Sequence, residues 1–183
     1  VKVLLDACVL YPTVMREVLL GAAEQGLYRP IWSARILEEW ARATRKLGPE
    51  AEAQARGEIA FMGAAWPGSA VSWPPSLEDR LWLPDANDAH VLAAAIAGSA
   101  DMIVTVNAKD FPRGLLAEEG LSRADPDAFL LGLFKADPNA LRTACAAVLD
   151  KARALSSDPW EMRPLLKKAR LPRLAKALDQ PPA

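Results

Sequence analysis

The chain of 183 residues contains one histidine and two cysteines, and these shortages exclude several chemistries at once. His90 alone cannot supply a histidine-rich metal centre, and any histidine-dependent triad would rest on it. Cys8 and Cys145 could close at most one bridge, and no cluster has zinc-ligand spacing. Neither G-x-G-x-x-G nor G-x-x-x-x-G-K-[ST] occurs, so the glycine-rich phosphate loops are missing. Asp6-Ala7-Cys8 lacks the second aspartate that an aspartyl-phosphate transferase of the dehalogenase type would use. The longest strongly apolar run, Val91 to Ala97, falls far short of the ~20 residues a membrane span requires. Asp6 interrupts the first apolar stretch and no small-residue cleavage pattern follows, so no secretory signal is expected. A reduced, cytoplasmic protein is the expectation. Neither sign of charge dominates either: 22 basic and 23 acidic side chains leave a net −1, which does not announce a nucleic-acid binder.

What is present suits a packed core, with 51% hydrophobic and 25% charged residues. Charge is unevenly distributed. Residues 1–115 carry 11 basic and 14 acidic side chains, whereas 116–183 carry 11 and 9. Arg163, Lys167, Lys168, Arg170, Arg173 and Lys176 follow one another without an intervening acid. Such a run is either a phosphate-tracking stripe or a solvated helix face, and Arg163, Lys167, Lys168 and Arg170 are its RNA-binding candidates.

Val1 to Asp6 reads as a short buried strand ending in a carboxylate. A helix is expected over Thr13–Glu24, stopped by Gly26, then a strand at Tyr28–Trp32 and a helix capped by Ser33 and running to Lys46. Gly48-Pro49 breaks that helix and a second runs to about Ala65. Ala70–Trp73 is a further strand candidate, Asp85 caps a helix over Ala86–Ala97, and Met102–Thr105 is a strand. Strands alternating with helices argue for a parallel sheet covered on both faces. After Leu115 the pattern is helical throughout, at about 125–135, 138–155, 159–170 and 172–179. The expected organisation is an α/β domain over 1–120 and an all-helical extension over 121–183.

Functional groups in such sheets collect at the carboxyl ends of strands. Asp6 lies at one, where a carboxylate costs solvation without extending the strand; an Asx-type cap is the plain alternative. In the Ser33–Lys46 helix, Ile36, Leu37, Trp40 and Leu47 form one apolar face. Glu39 flanks it while Glu38 points away, which favours Glu39 as the functional acid, against an ordinary surface pair with Arg35 or Arg42. Asp85 and Asp88 form an ordinary acidic helix start, but Asp88 heads the apolar stripe of Val91 and Leu92. Thr105 and Asn107 follow a strand and could orient carboxylates or a water; Asp110 suits a turn cap before Phe111-Pro112. His90 reads as a packed or hydrogen-bonded histidine. Several acids, 30–50 residues apart and arriving at one sheet edge, suit a hard divalent cation with oxygen ligands.

The blocks Leu4–Pro12, Trp32-Ser33 with Ile36–Trp40, Leu83–Ala95 and Ile103–Pro112, in this order and spacing, resemble a bacterial PIN-domain ribonuclease. The resemblance is to VapC-type toxins of toxin–antitoxin pairs, in a branch with a helical carboxy-terminal extension. It implies a three-layer α/β/α sandwich with a central parallel sheet and the all-helical extension. It further implies Mg²⁺ or Mn²⁺ held by Asp6, Glu39, Asp85 and Asp88, with Asp6, Glu39 and Asp88 catalytic, and cleavage of single-stranded or looped RNA. Thr105 matches a site threonine, and Arg16 a position this branch often fills with arginine. Asn107 stands where many relatives place a fourth aspartate, and Cys8 where they often carry asparagine or serine. Those two departures favour the alternative of a catalytically weak module that binds RNA or protein. A cognate antitoxin is the implied partner, relatives commonly pair as dimers, and no membrane is involved.

Overall fold

The computed structural model describes residues 1–182. By internal contacts the chain forms two compact units, one of 1–11 with 29–124 and one of 12–28 with 125–183.

The first unit is built on strands β1 (Lys2–Leu5), β2 (Arg29–Ser33), β3 (Ala70–Val71), β4 (Met102–Val104) and β5 (Ser122–Ala124). They form one sheet in the order β3-β2-β1-β4-β5, every pair parallel. Val3, Leu4 and Leu5 are wholly buried. Side chains of consecutive strand residues point to opposite faces, so a run buried without exception means that both faces are covered. The expected PIN-like α/β architecture with a central parallel sheet is therefore realised. From β1 the strands step outward through β2 to β3, then resume on the other side of β1 with β4 and β5. That reversal places a crevice outside the carboxyl ends of β1 and β4.

The helices, in chain order, are α1 (Ala7–Leu10), α2 (Thr13–Glu24), α3 (Ala34–Ala43), α4 (Pro49–Ala65), α5 (Pro75–Asp79), α6 (Ala89–Ala97) and α7 (Arg113–Glu118). The extension supplies α8 (Pro126–Ala136), α9 (Pro138–Leu155), α10 (Met162–Lys168) and α11 (Pro172–Leu178). Short 3₁₀ turns at Ala86–Asp88 and Ala108–Asp110 follow Asp85 and Asn107. No helix among the described residues is long and apolar enough to cross a membrane.

Local chemistry explains most boundaries. Ser33 caps α3, its hydroxyl accepting from the Ile36 N–H at 3.1 Å. Gly26 ends α2 at φ +77°, with its own N–H and that of Leu27 closing on Ala23 and Ala22. Three expectations need correction. β5 lies where a purely helical pattern was expected, because three half-buried or exposed residues of an edge strand carry no apolar run. The strand candidate at 70–73 keeps only Ala70–Val71. The helix over 86–97 begins as a 3₁₀ turn.

The division of the chain also differs from a simple split near residue 120. α2 belongs to the second unit, where it packs against α9: a Cβ on Gly21 would stand 3.2 Å from that of Ala144. Tyr28 donates to the Leu19 carbonyl at 2.7 Å and meets Phe129 edge-on, with ring centres 5.0 Å apart. In α8, Asp127 accepts from the backbone N–H groups of Arg173 and Leu174 and from the Arg173 side chain, tying down the start of α11.

Candidate active site

Asp6 reaches the crevice because β1 ends one residue before it and α1 begins one residue after. Its N–H continues the pairing with β4 by donating to the Val104 carbonyl at 3.2 Å. Its Oδ1 accepts from the Ala7 N–H at 2.8 Å, so the capping alternative is realised. Capping uses only one oxygen. Oδ2 accepts from the Thr105 hydroxyl at 2.8 Å and lies 3.4 Å from the Cys8 thiol. The side chain is buried, and burial pushes its pKa above the ordinary carboxylate value despite these donors; the charge of Glu39 adds to the rise.

Thr105, wholly buried after β4, transmits order outward by also accepting from the Asn107 N–H at 3.0 Å. Cys8 does form site contacts: its sulfur accepts from the Val106 N–H at 3.4 Å and lies 3.4 Å from the Thr105 hydroxyl. Burial first, then the Asp6 charge, pushes its thiol up to about 12, so it remains protonated and can donate. Asn107 is exposed and opens the 108–110 turn without capping it through its side chain.

The second group of acids arrives on α3 and α6. Asp85 is exposed and caps the 86–88 turn through the Asn87 N–H at 2.9 Å. Asp88 is half-buried at the start of α6 and makes no capping bond. Partial burial, followed by the charges of Asp6, Asp85, Asp110 and Glu39, raises its pKa to about 6. Five carboxylates thus share one electrostatic neighbourhood.

Glu38 and Glu39 part company as helical phase predicts. Glu38 faces outward, ion-paired with Arg56 at 2.8 Å and Arg42 at 3.0 Å, which hold its carboxyl down to about 2. Neither Arg35 nor Arg42 takes up Glu39; Arg35 pairs with Glu78. Instead Glu39 Oε1 lies 2.6 Å from Nε2 of His90, close but without hydrogen-bond alignment. His90 is wholly buried on α6, and neither ring nitrogen has a hydrogen-bond partner among the described residues.

Sequence reasoning left Asp110 and His90 outside the site. Asp110 looks like a turn residue because its influence on Asp88 is tertiary. The signal for His90 was its position two residues after Asp88, in a helix buried from Ala89 through Ala95.

The donors are carboxylate, hydroxyl and amide oxygens, which fit Mg²⁺ or Mn²⁺ and not a soft metal. Acids that raise one another's proton affinity are also what a bound cation would relieve. Among the described residues, however, no three His, Cys, Asp or Glu side chains stand together as a ready metal-holding group. Asp6 is held in place by its donors, and Glu39 lies against the His90 edge.

The other predicted residues belong to the second unit. Arg16 is buried on α2, and Glu17 beside it pairs with Lys151 at 2.6 Å. Arg163 pairs with Asp179 at 2.6 Å, whereas Lys167, Lys168 and Arg170 are exposed.

The family model for the PIN domain matches residues 2–109, more than half the chain and the whole span from β1 through Asn107. The chain belongs to the PIN-domain family. PIN domains are generally nucleases and usually use divalent metal ions, and all the predicted acids fall inside the matched span of this PIN domain. No curated protein and no solved structure matches the chain.

Proposed function

We propose that this PIN domain is a divalent-metal-dependent endoribonuclease that cleaves single-stranded or looped RNA. We infer further that it acts as the toxin of a bacterial toxin–antitoxin pair. The observation that supports the nuclease reading is buried Asp6 at the end of β1, held by the Thr105 hydroxyl, with Asp88 raised by its own burial and then by the charges of Asp6, Asp85, Asp110 and Glu39.

In this reading Asp6, Glu39 and Asp88, with Asp85 assisting, would hold Mg²⁺ or Mn²⁺. When bound, the ion would supply an activated water and neutralise charge on the phosphate. Asp6 needs the least reorganisation, since Thr105, Cys8 and the Ala7 N–H already fix both its oxygens. Thr105 is a positioning residue that acts through Asp6, and the exposed Asn107 amide can meet substrate or hold a water. The cognate antitoxin would cover the acids, an arginine against the carboxylates being the favourable contact. Arg16 stays a supporting candidate on the resemblance alone, as does dimer formation.

The test is cleavage of RNA by the purified chain in Mg²⁺, Mn²⁺ and EDTA, with Asp6→Asn and Asp88→Asn alongside. Cleavage should require the metal and fall at least a hundredfold in each variant, about 2.7 kcal/mol of transition-state stabilisation. Full activity in either variant would remove the site, and activity in EDTA would remove the metal. The second reading, a catalytically weak binding module, is favoured by Glu39 lying against His90; RNA binding without cleavage in any metal would select it. For the toxin role, induced expression should arrest bacterial growth and Asp6→Asn should not.

A further inference from the structure

The basic run of the extension is not uniformly free. Arg163 is paired with Asp179, and Arg173 reaches Asp125 at 3.0 Å and Asp127 at 3.1 Å. Lys167, Lys168 and Arg170 remain, exposed together at the end of α10 and in the turn to α11, without an ion pair among the described residues. Arg170 occupies that turn at φ +62°, its N–H closing on Lys167 and that of Leu171 on Leu166. Gly26 closes α2 in the same way at φ +77°. An arginine there accepts a left-handed backbone that glycine would adopt without strain.

Beside this corner, within the same unit, lies a groove of about 380 Å³, walled mainly by Val14, Met15, Leu155, Trp160 and Leu165. Lys168 borders it, with its ammonium 5.1 Å from the centre of the half-buried Trp160 ring. Leu155 is largely exposed at its edge. Glu17 and Lys151, paired with each other, also line the groove, so among the described residues Lys168 is its one unpaired bordering cation, with Lys167 and Arg170 following close by in sequence. An aromatic wall in an apolar slot with such a cation at its rim complements a nucleobase joined to a phosphate chain. An acidic peptide would satisfy the cations but make no use of a planar slot.

We propose that Lys167, Lys168 and Arg170 form a second contact surface for single-stranded RNA, outside the acid cluster, with one base seated against Trp160. The proposal rests on the nuclease reading for its choice of RNA. It gives the extension a role in substrate capture, and capture by this surface requires no metal.

The experiment uses the full chain in EDTA, so that binding is measured without cleavage. Affinity for a short labelled single-stranded RNA is followed against salt for the wild type, for Lys167→Gln/Lys168→Gln/Arg170→Gln, and for Trp160→Leu. Removing three phosphate contacts should reduce the slope of log affinity against log salt by about 2. Trp160→Leu should weaken binding roughly tenfold and leave the slope unchanged. Photocrosslinking of 5-iodouridine RNA to the wild type should place a crosslink on Trp160, which keeps the base seat testable if that variant fails to fold. An unchanged slope in the triple variant overturns the surface, and crosslinks confined to other residues overturn the base seat. If the triple variant instead loses affinity only for duplex DNA or anionic vesicles, RNA is the wrong partner. A wild type that neither binds nor cuts RNA defeats the nuclease reading itself. A wild type that cuts RNA beside variants that bind unaltered defeats only this surface.

Discussion

Asp6 and Asp88 are both acids near a sheet edge, yet their surroundings differ in kind. Asp6 is the more deeply buried, but a hydroxyl, a thiol and a backbone N–H compensate part of the cost. Asp88 makes no capping bond and meets like charges from Asp6, Asp85, Asp110 and Glu39. Its pKa in the folded protein, about 6, stands above the ordinary 3.8. A carboxyl that binds its proton more tightly when folded favours the fold below its unfolded pKa, and that contribution is lost as pH rises through the folded one. In metal-free protein, therefore, Asp88→Asn should gain in Tm over the wild type as pH rises from 4 to 7, levelling off above. Mg²⁺ or Mn²⁺ should shrink the difference by supplying the countercharge. Melting curves at a series of pH values in EDTA measure this, and a Tm difference that does not vary with pH would mean that neither burial nor the neighbouring acids raise Asp88.

At the scale of elements, the long helices and their stops were legible because glycine, proline and serine act locally. Thr13–Glu24 with Gly26, and Pro49–Ala65 after Gly48, follow from backbone preference and apolar period alone. The edge strands β3 and β5 were poorly legible, since two or three residues show no period and are defined by the neighbour they pair with. How α6 is seated was not legible at all. Gly98, after α6, has an ordinary φ of −81°, so its lack of a side chain provides room and not backbone freedom. A methyl there would collide with the Ile31 side chain and stand 3.1 Å from Val71 Cγ1 and 3.2 Å from the Ala94 carbonyl. Gly57, on the exposed side of α4, has open space around it. Gly98→Ala should therefore cost about 1–3 kcal/mol by overpacking β2 and β3, and Gly57→Ala should add about 0.5–1 kcal/mol. Urea titrations of the two variants check this; equal effects would mean that α6 does not press on the sheet as described.

At the scale of the whole molecule, the candidate acids could be named from the sequence for a simple reason. Strand ends and helical phase, both local, select Asp6, Glu39 and Asp88, and a parallel sheet brings strand ends together whatever lies between them. Asp110 and His90 escaped because the charge of Asp110 on Asp88, and the closeness of His90 to Glu39, both cross between elements. The membership of α2 escaped for a related reason: its apolar face is plain in the sequence, but which helices it meets is not. Met15, Val18, Leu19 and Ala22 are buried there, and α2 packs on α8 and α9, which arrive more than a hundred residues later. The two units are thus discontinuous in sequence, and cutting the chain after residue 124 does not release one of them intact. A fragment of 1–124 keeps α2 and loses its partners α8 and α9, leaving that apolar face without its packing and Tyr28 without Phe129. Such a fragment should bind a hydrophobic dye, associate at micromolar concentration and melt well below the full chain. Replacing residues 12–28 as well by a flexible linker of about 15 residues, long enough to cross back from the carboxyl end of β1 to the start of the parallel β2, should abolish the dye binding, because the remaining segments are those of the first unit alone. If 1–124 melts cooperatively at the temperature of the full chain without binding dye, α2 does not depend on the extension and the division into units is wrong.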